Sequence, residues 1–157
     1  MGIADELLAL AGYLATSSSP AFEQASFRRS VSTAYYALFH LLIDEAVGNW
    51  AVERQRSVLA RTFDHGRMKK VCEDYVNNYY SSGQPSALLK LKNVAHAFLL
   101  LQEQRHKADY DNSFEWSRTN AVAAIDLASS AFSDWRSIRK QVSAQDYLLA
   151  LFLPKIR

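Results

Sequence analysis

The sequence predicts an all-α protein, and three observations carry that prediction. Only 5 Gly and 3 Pro interrupt 157 residues, and these two residue types are the main breakers of regular structure. Between the breaks, apolar residues recur at spacings of three and four rather than two. No stretch alternates apolar and polar side chains convincingly enough for a strand. The expected architecture is an up-and-down helical bundle of roughly four to five main helices with an extra C-terminal helix. A chain that is 49% hydrophobic and 12% aromatic can pack a core, so it is read as a single domain over residues 1–157 and not as a disordered segment.

The elements follow in order. A first helix is expected from about Ala4 to Thr16, carrying Leu7, Leu8, Ala11 and Leu14. Ser17-Ser18-Ser19-Pro20 ends it, and Ser19-Pro20 places a polar cap before a proline in the next first turn. A long helix over 21–48 has Phe27, Val31, Ala34, Tyr35, Leu38 and Leu42 in one stripe and stops at Gly48-Asn49. A short helix through Val58 and Leu59, a turn at Asp64-His65-Gly66 and a helix marked by Val71, Cys72, Tyr75 and Tyr79 come next. The strongest break is Ser81-Ser82-Gly83-Gln84-Pro85. A second long helix, 86–110, carries Leu91, Val94, Ala95, Phe98 and Leu101 and closes at Asp111-Asn112-Ser113. Ser113, with Glu115 close behind, is expected to cap a third long helix over 114–140, striped by Val122, Ile125, Ala128, Phe132 and Trp135. The core thus occupies about 5–140. In the remaining 141–157, Tyr147 to Leu153 is apolar on nearly every side and is stopped by Pro154; it should pack on the bundle or dock on a partner.

Charge and composition narrow the function classes. A formal net charge of +2 gives little reason to expect a strong electrostatic nucleic-acid binder. The single cysteine, Cys72, excludes an internal disulfide framework and a cysteine-rich zinc site. Asp5 and Glu6 stand where a secretory leader carries positive charge, and no apolar run approaches the ~20 residues of a membrane span. A cytoplasmic location without membrane association is expected. Phosphate loops, dinucleotide fingerprints, nucleophile elbows and zinc-protease motifs are missing from the sequence, and no cofactor is expected.

Arg105 is the most informative position. Extending the stripe Leu91, Phe98 by one heptad lands on it, and Asp109 follows one turn later on the same face. An arginine there is costly to bury unless paired. Two readings remain open: an ion pair at a helix end, or a cleft in which the planar guanidinium meets a phosphate. His40 shares a helix face with Tyr36, and His65 lies beside Gly66 between Arg61 and Arg67. His96 has no partner at ligand spacing. Glu103 and His106 form one Glu-x-x-His pair, but a di-iron site needs a second pair and two further glutamates, so no metal site is expected. Arg28-Arg29, Arg54 with Arg56, and Arg67 with Lys69-Lys70 are interspersed with acids and read as a solvated surface, or as an RNA-facing patch if they converge.

Ser32-Thr33-Ala34-Tyr35-Tyr36-Ala37-Leu38-Phe39-His40 resembles the Ser-x-Ala-Tyr-Tyr-Ala-x-Phe-His signature of HEPN-domain proteins. Arg105-His106-Lys107-Ala108-Asp109-Tyr110 is similar to the Arg-x-x-Ala-Asp-Tyr segment of one branch of that family, and His65-Gly66 falls where the branch often has a histidine. The resemblance spans roughly residues 5–140. It implies a helical homodimer, in many relatives a metal-independent endoribonuclease acting as a toxin or in phage defence, in others a nucleotide or RNA binder beside a nucleotidyltransferase-type antitoxin. The family's catalytic motif is an arginine, four to six intervening residues, and then a histidine. Here Tyr110, Asp111 and Asn112 occupy those positions.

The leading expectation is therefore a HEPN-like protein that binds RNA or a nucleotide phosphate around Arg105, with Tyr36 and Tyr110 in the substrate-binding role. Should it be an active ribonuclease, Arg105, Asp109, His65 and His40 are the candidate catalytic residues. A third expectation is a non-enzymatic interaction module whose apolar tail docks a partner and whose Arg105–Asp109 pair is structural.

Overall fold

A computed structural model describes residues 2–17, 19–77 and 85–153. Among these the chain is all-α, as expected, with seven α-helices: α1 (Ile3–Thr16), α2 (Glu23–Gly48), α3 (Glu53–Ala60), α4 (His65–Asn77), α5 (Pro85–Tyr110), α6 (Arg118–Ile138) and α7 (Val142–Phe152). The contacts divide the chain into two compact units, Met1–Leu41 with Ala97–Phe132, and Leu42–His96 with Ser133–Arg157. The long helices α2, α5 and α6 each supply residues to both.

In the first unit the predicted stripes of α2 and α5 are core: Phe27, Val31, Ala34, Tyr35 and Leu38 of α2 and Phe98 and Leu101 of α5 are buried. The α6 face is rotated from expectation in its first turns: Ala128 and Phe132 are buried as expected, but Ala121 and Ala124 are buried in place of Val122 and Ile125, which are half-buried. α1 turns its alanines, Ala4, Ala11 and Ala15, into this core. Two polar contacts tie it down: the buried Ser30 hydroxyl donates to the Ala11 carbonyl at 2.7 Å, and Arg118 Nε donates to the Ala15 carbonyl at 3.1 Å. The Ser19 cap forms as expected, accepting from the Ala21 amide, but it opens a short 3-10 turn, Pro20–Phe22, that leads into α2.

The start of the third long helix differs from expectation. α6 begins at Arg118, not at 114, and ends at Ile138 rather than 140. Ser113 cannot cap it because both its amide and its hydroxyl donate to Asp111 Oδ1, an Asx turn that competes with helix formation. These bonds also hold the Asp111 carboxyl below its usual range. The cap is Ser117, whose hydroxyl accepts from the Asn120 amide while Asn120 Oδ1 accepts from the Ser117 amide, a reciprocal box.

In the second unit, α4 and α7 pack around a buried aromatic cluster. Tyr147 of α7 stacks edge-on against Tyr75 and lies 6.2 Å from Trp135, and its hydroxyl meets the Cys72 thiol at 3.0 Å. The apolar tail is thus an amphipathic helix. Tyr147, Leu148 and Leu151 are buried, whereas Val142 and Leu149 face solvent. A groove of about 380 Å³ runs between the end of α2, Trp50, Leu59 and the α7 residues Leu148, Leu149 and Phe152. Arg139 closes the other side of this region with a two-pronged pair to Glu45, at 3.0 and 2.6 Å. His65 is not in a turn: it is the first residue of α4, and Asp64 caps that helix by accepting from the Arg67 amide. The expected break at Ser81–Gln84, Tyr79 and the stop at Pro154 lie outside the described residues.

Candidate functional site around Arg105

The two stretches singled out in the sequence meet in the first unit. Ser32, Tyr35 and Tyr36 of α2 face Arg105 and Asp109 of α5. The Arg105 guanidinium lies over both tyrosine rings, its Cζ 5.3 Å from the Tyr35 centroid and 5.7 Å from that of Tyr36, within cation–π range. The rings meet edge to face at 5.2 Å, and Tyr35 packs on Phe98 from behind. Tyr35 is fully buried and Tyr36 half-buried. The aromatic pair therefore fixes the guanidinium from the protein side and leaves an edge toward solvent.

The polar partners are loose. Arg105 Nη1 stands 3.5 Å from Asp109 Oδ2, with the two side chains 16% and 21% exposed. The Ser32 hydroxyl donates to the same carboxylate oxygen at 3.4 Å. Arg105 Nε is buried and has no hydrogen-bond partner among the described residues. The order of the pair also works against it as a stability device. Asp109 sits in the last turn of α5, at the negative end of the helix dipole, with its cation on the N-terminal side. Such a pair adds little to the fold, yet it holds a desolvated guanidinium with donors to spare.

Other predicted residues fall at different places. Tyr110, one residue beyond Asp109, is exposed and stacks on His106 at 5.0 Å. His40 lies one turn beyond Tyr36 with its ring edge-on to Phe39 at 5.7 Å. Neither histidine hydrogen-bonds to the Arg105–Asp109 pair among the described residues. His65 belongs to the second unit and is half-buried. His96 and Glu103 are exposed, and no group of three metal-ligating side chains occurs among the described residues.

Arg28 has a task the sequence did not reveal. The sequence groups it with Arg29 as a solvated surface charge or part of an RNA-facing patch, but its guanidinium is committed to three backbone carbonyls. Nη1 donates to Ala108 and Asp111 at 2.9 and 3.0 Å, and Nη2 to Phe114 at 2.8 Å. It thereby caps the C-terminal end of α5, the turn that carries Asp109 and Tyr110. One turn earlier, Gln24 grips the same connection through the Trp116 amide and carbonyl. Two other arginines of the basic groups also serve backbone carbonyls, Arg56 that of Trp50 and Arg67 that of Phe152, and Lys70 pairs with Asp74. Arg29, Arg54 and Lys69 remain exposed.

No helix among the described residues is long and apolar enough to cross a membrane. Compared with family models, with curated proteins and with solved structures, the chain has no match.

Proposed function

We propose that this is a HEPN-like protein that binds a nucleotide phosphate or RNA at Arg105. The observation that supports the reading is the half-buried guanidinium held over Tyr35 and Tyr36 with its Nε unpartnered and its carboxylate neighbour 3.5 Å away. A buried donor without a partner costs free energy that an anionic oxygen recovers on binding. Tyr36 and Tyr110 offer ring faces and hydroxyls to a base or ribose beside that phosphate. The reading carries with it the setting the resemblance implies: a cytoplasmic homodimer in toxin–antitoxin or phage defence, with a nucleotidyltransferase-type partner.

Binding without cleavage is favoured over an active ribonuclease. The motif histidine that would do acid–base work on a 2′-hydroxyl is replaced here by Tyr110, Asp111 and Asn112, and the one titratable side chain paired with Arg105, Asp109, is a carboxylate held by the guanidinium and the Ser32 hydroxyl. The test pairs two assays on wild type and Arg105→Ala. Titration with AMP, ADP, ATP and a single-stranded RNA oligonucleotide should show binding that Arg105→Ala weakens by about 10- to 100-fold, the worth of a charged hydrogen bond. The melting temperature should change little, because the ion pair is long and runs against the helix dipole. RNA incubated with the protein in EDTA should stay intact. Cleavage lost in Arg105→Ala would instead establish a metal-independent nuclease. A loss of about 3–5 kcal/mol of stability with no ligand bound would make the pair structural.

A further inference from the structure

We propose that the groove in the second unit binds a small organic cation, an apolar body carrying one ammonium group. The residues lining the groove all belong to that unit. Its volume of about 380 Å³ falls at the lower end of the range for small-molecule sites. The walls are apolar, with Val47, Leu59, Leu149 and Phe152 beside Trp50. Leu149 is 55% and Trp50 46% exposed, so apolar surface is left open to water there. Trp50 is exposed and yet fixed, which makes it a preformed wall. Its indole Nε1 donates to Gln55 Oε1 at 2.7 Å, and Arg56 Nε donates to its carbonyl at 2.9 Å.

The polar part of the lining selects the charge of the occupant. Beside the apolar walls stand Asn49, Gln145 and Asp146. The two amides are already engaged: Asn49 Nδ2 donates to Gln145 Oε1 at 2.7 Å, and Gln145 Nε2 donates to the Arg139 carbonyl at 2.6 Å. Asp146 is exposed, and its carboxylate makes no ion pair or hydrogen bond among the described residues. It is the one charged side chain in the lining. The adjoining recess, which shares Asn49 and Gln145, sets Asp44 and Glu45 against Arg139 and Lys140 and adds no net charge. The groove thus couples an open carboxylate to an apolar wall. An ammonium supplies the counter-charge, and Trp50 offers an aromatic face of the kind that attracts cations. An aliphatic anion would fill the same walls but would face the Asp146 carboxylate, which discriminates against it.

The proposal is independent of the reading of Arg105. Octylammonium tests it at pH 7 against octanol and octanoate, which share its chain length. Tryptophan emission reports on the groove, because Trp116 and Trp135 are buried and Trp50 is exposed. Octylammonium should shift that emission with a dissociation constant on the order of 0.1–1 mM, as suits so small a ligand. Octanoate should bind at least about tenfold more weakly. Asp146→Asn, at an exposed position, should keep the wild-type melting curve, weaken octylammonium by about three- to tenfold and bring it level with octanol. Asp146→Lys should reverse the order and favour octanoate. Trp50→Phe should remove the emission change while calorimetry still registers binding. Three probes that bind alike overturn the proposal, as does the absence of binding up to about 10 mM. So does a preference for octylammonium that survives Asp146→Asn. Emission that shifts on dilution of the protein alone, the sign of a second copy covering the groove, overturns it too.

Discussion

At the scale of single residues, Cys72 shows how burial sets chemistry. Its thiol is enclosed by α4 and α7, and desolvation pushes its pKa from 9.0 to about 12 despite the opposing contact from the Tyr147 hydroxyl. Tyr147 is moved up from its ordinary 10.0 by the same burial. Both groups are acids held neutral in the folded state. The stability this represents is fully present below their unfolded values and is lost as pH rises toward the folded ones. Stability should therefore fall from about pH 9 upward through Cys72 and from about pH 10 upward through Tyr147, by as much as about 1.4 kcal/mol per pH unit for each group. Cys72→Ala should flatten that slope in thermal melts taken between about pH 8 and 11. In the native protein at neutral pH the thiol should ignore a disulfide reagent that titrates it fully once the chain is unfolded, since only the thiolate attacks.

At the scale of elements, the 111–117 connection separates what is legible locally from what is not. The stripes of α2 and α5, and the Ala128, Phe132 and Trp135 part of α6, could be read because a helix face repeats every three to four residues. The start of α6 could not, because Ser113 and Ser117 are both good caps by composition and the choice turns on Asp111 taking Ser113 first. Nor could the role of Arg28, whose acceptors lie 80 to 86 residues away in sequence. Beside Arg29 it looks like any surface cation. Three charge-assisted bonds to carbonyls otherwise left bare at a helix end make Arg28→Ala destabilising by about 2–4 kcal/mol in chemical denaturation. Arg28→Lys should recover less than half of this, because an ammonium lacks the planar fork that reaches three acceptors. Under the proposed reading of Arg105, nucleotide affinity should fall along with stability in both variants, since the turn holding Asp109 loses its anchor.

At the scale of the whole molecule, the candidate site was legible as two short stretches and not as a geometry. Arg105 and Asp109 fall on one helix face by arithmetic alone, and the resemblance sets Tyr36, His40, His65 and Tyr110 near them, of which Tyr36 lies against the guanidinium and His65 belongs to the other unit. Nothing in the spacing indicated that the deepest contact would be Tyr35, or that Ser32 would hold the carboxylate. Those depend on the register of α2 against α5, which tertiary packing decides. Cooperativity follows from how the chain is distributed. α5 alone carries Leu91 into one core and Phe98 into the other. Leu91→Ala and Phe98→Ala should each cost about 2–5 kcal/mol. Both should shift one common transition, with helical ellipticity and tryptophan fluorescence melting together. Two separate transitions would show that the units unfold one at a time. The same distribution has a genetic corollary. Each unit is written in two stretches of the sequence, so no single contiguous cut of the coding sequence yields either one whole. Neither half could be copied into another protein as a cassette, and because the two units alternate along the chain, circular permutation would not make either contiguous.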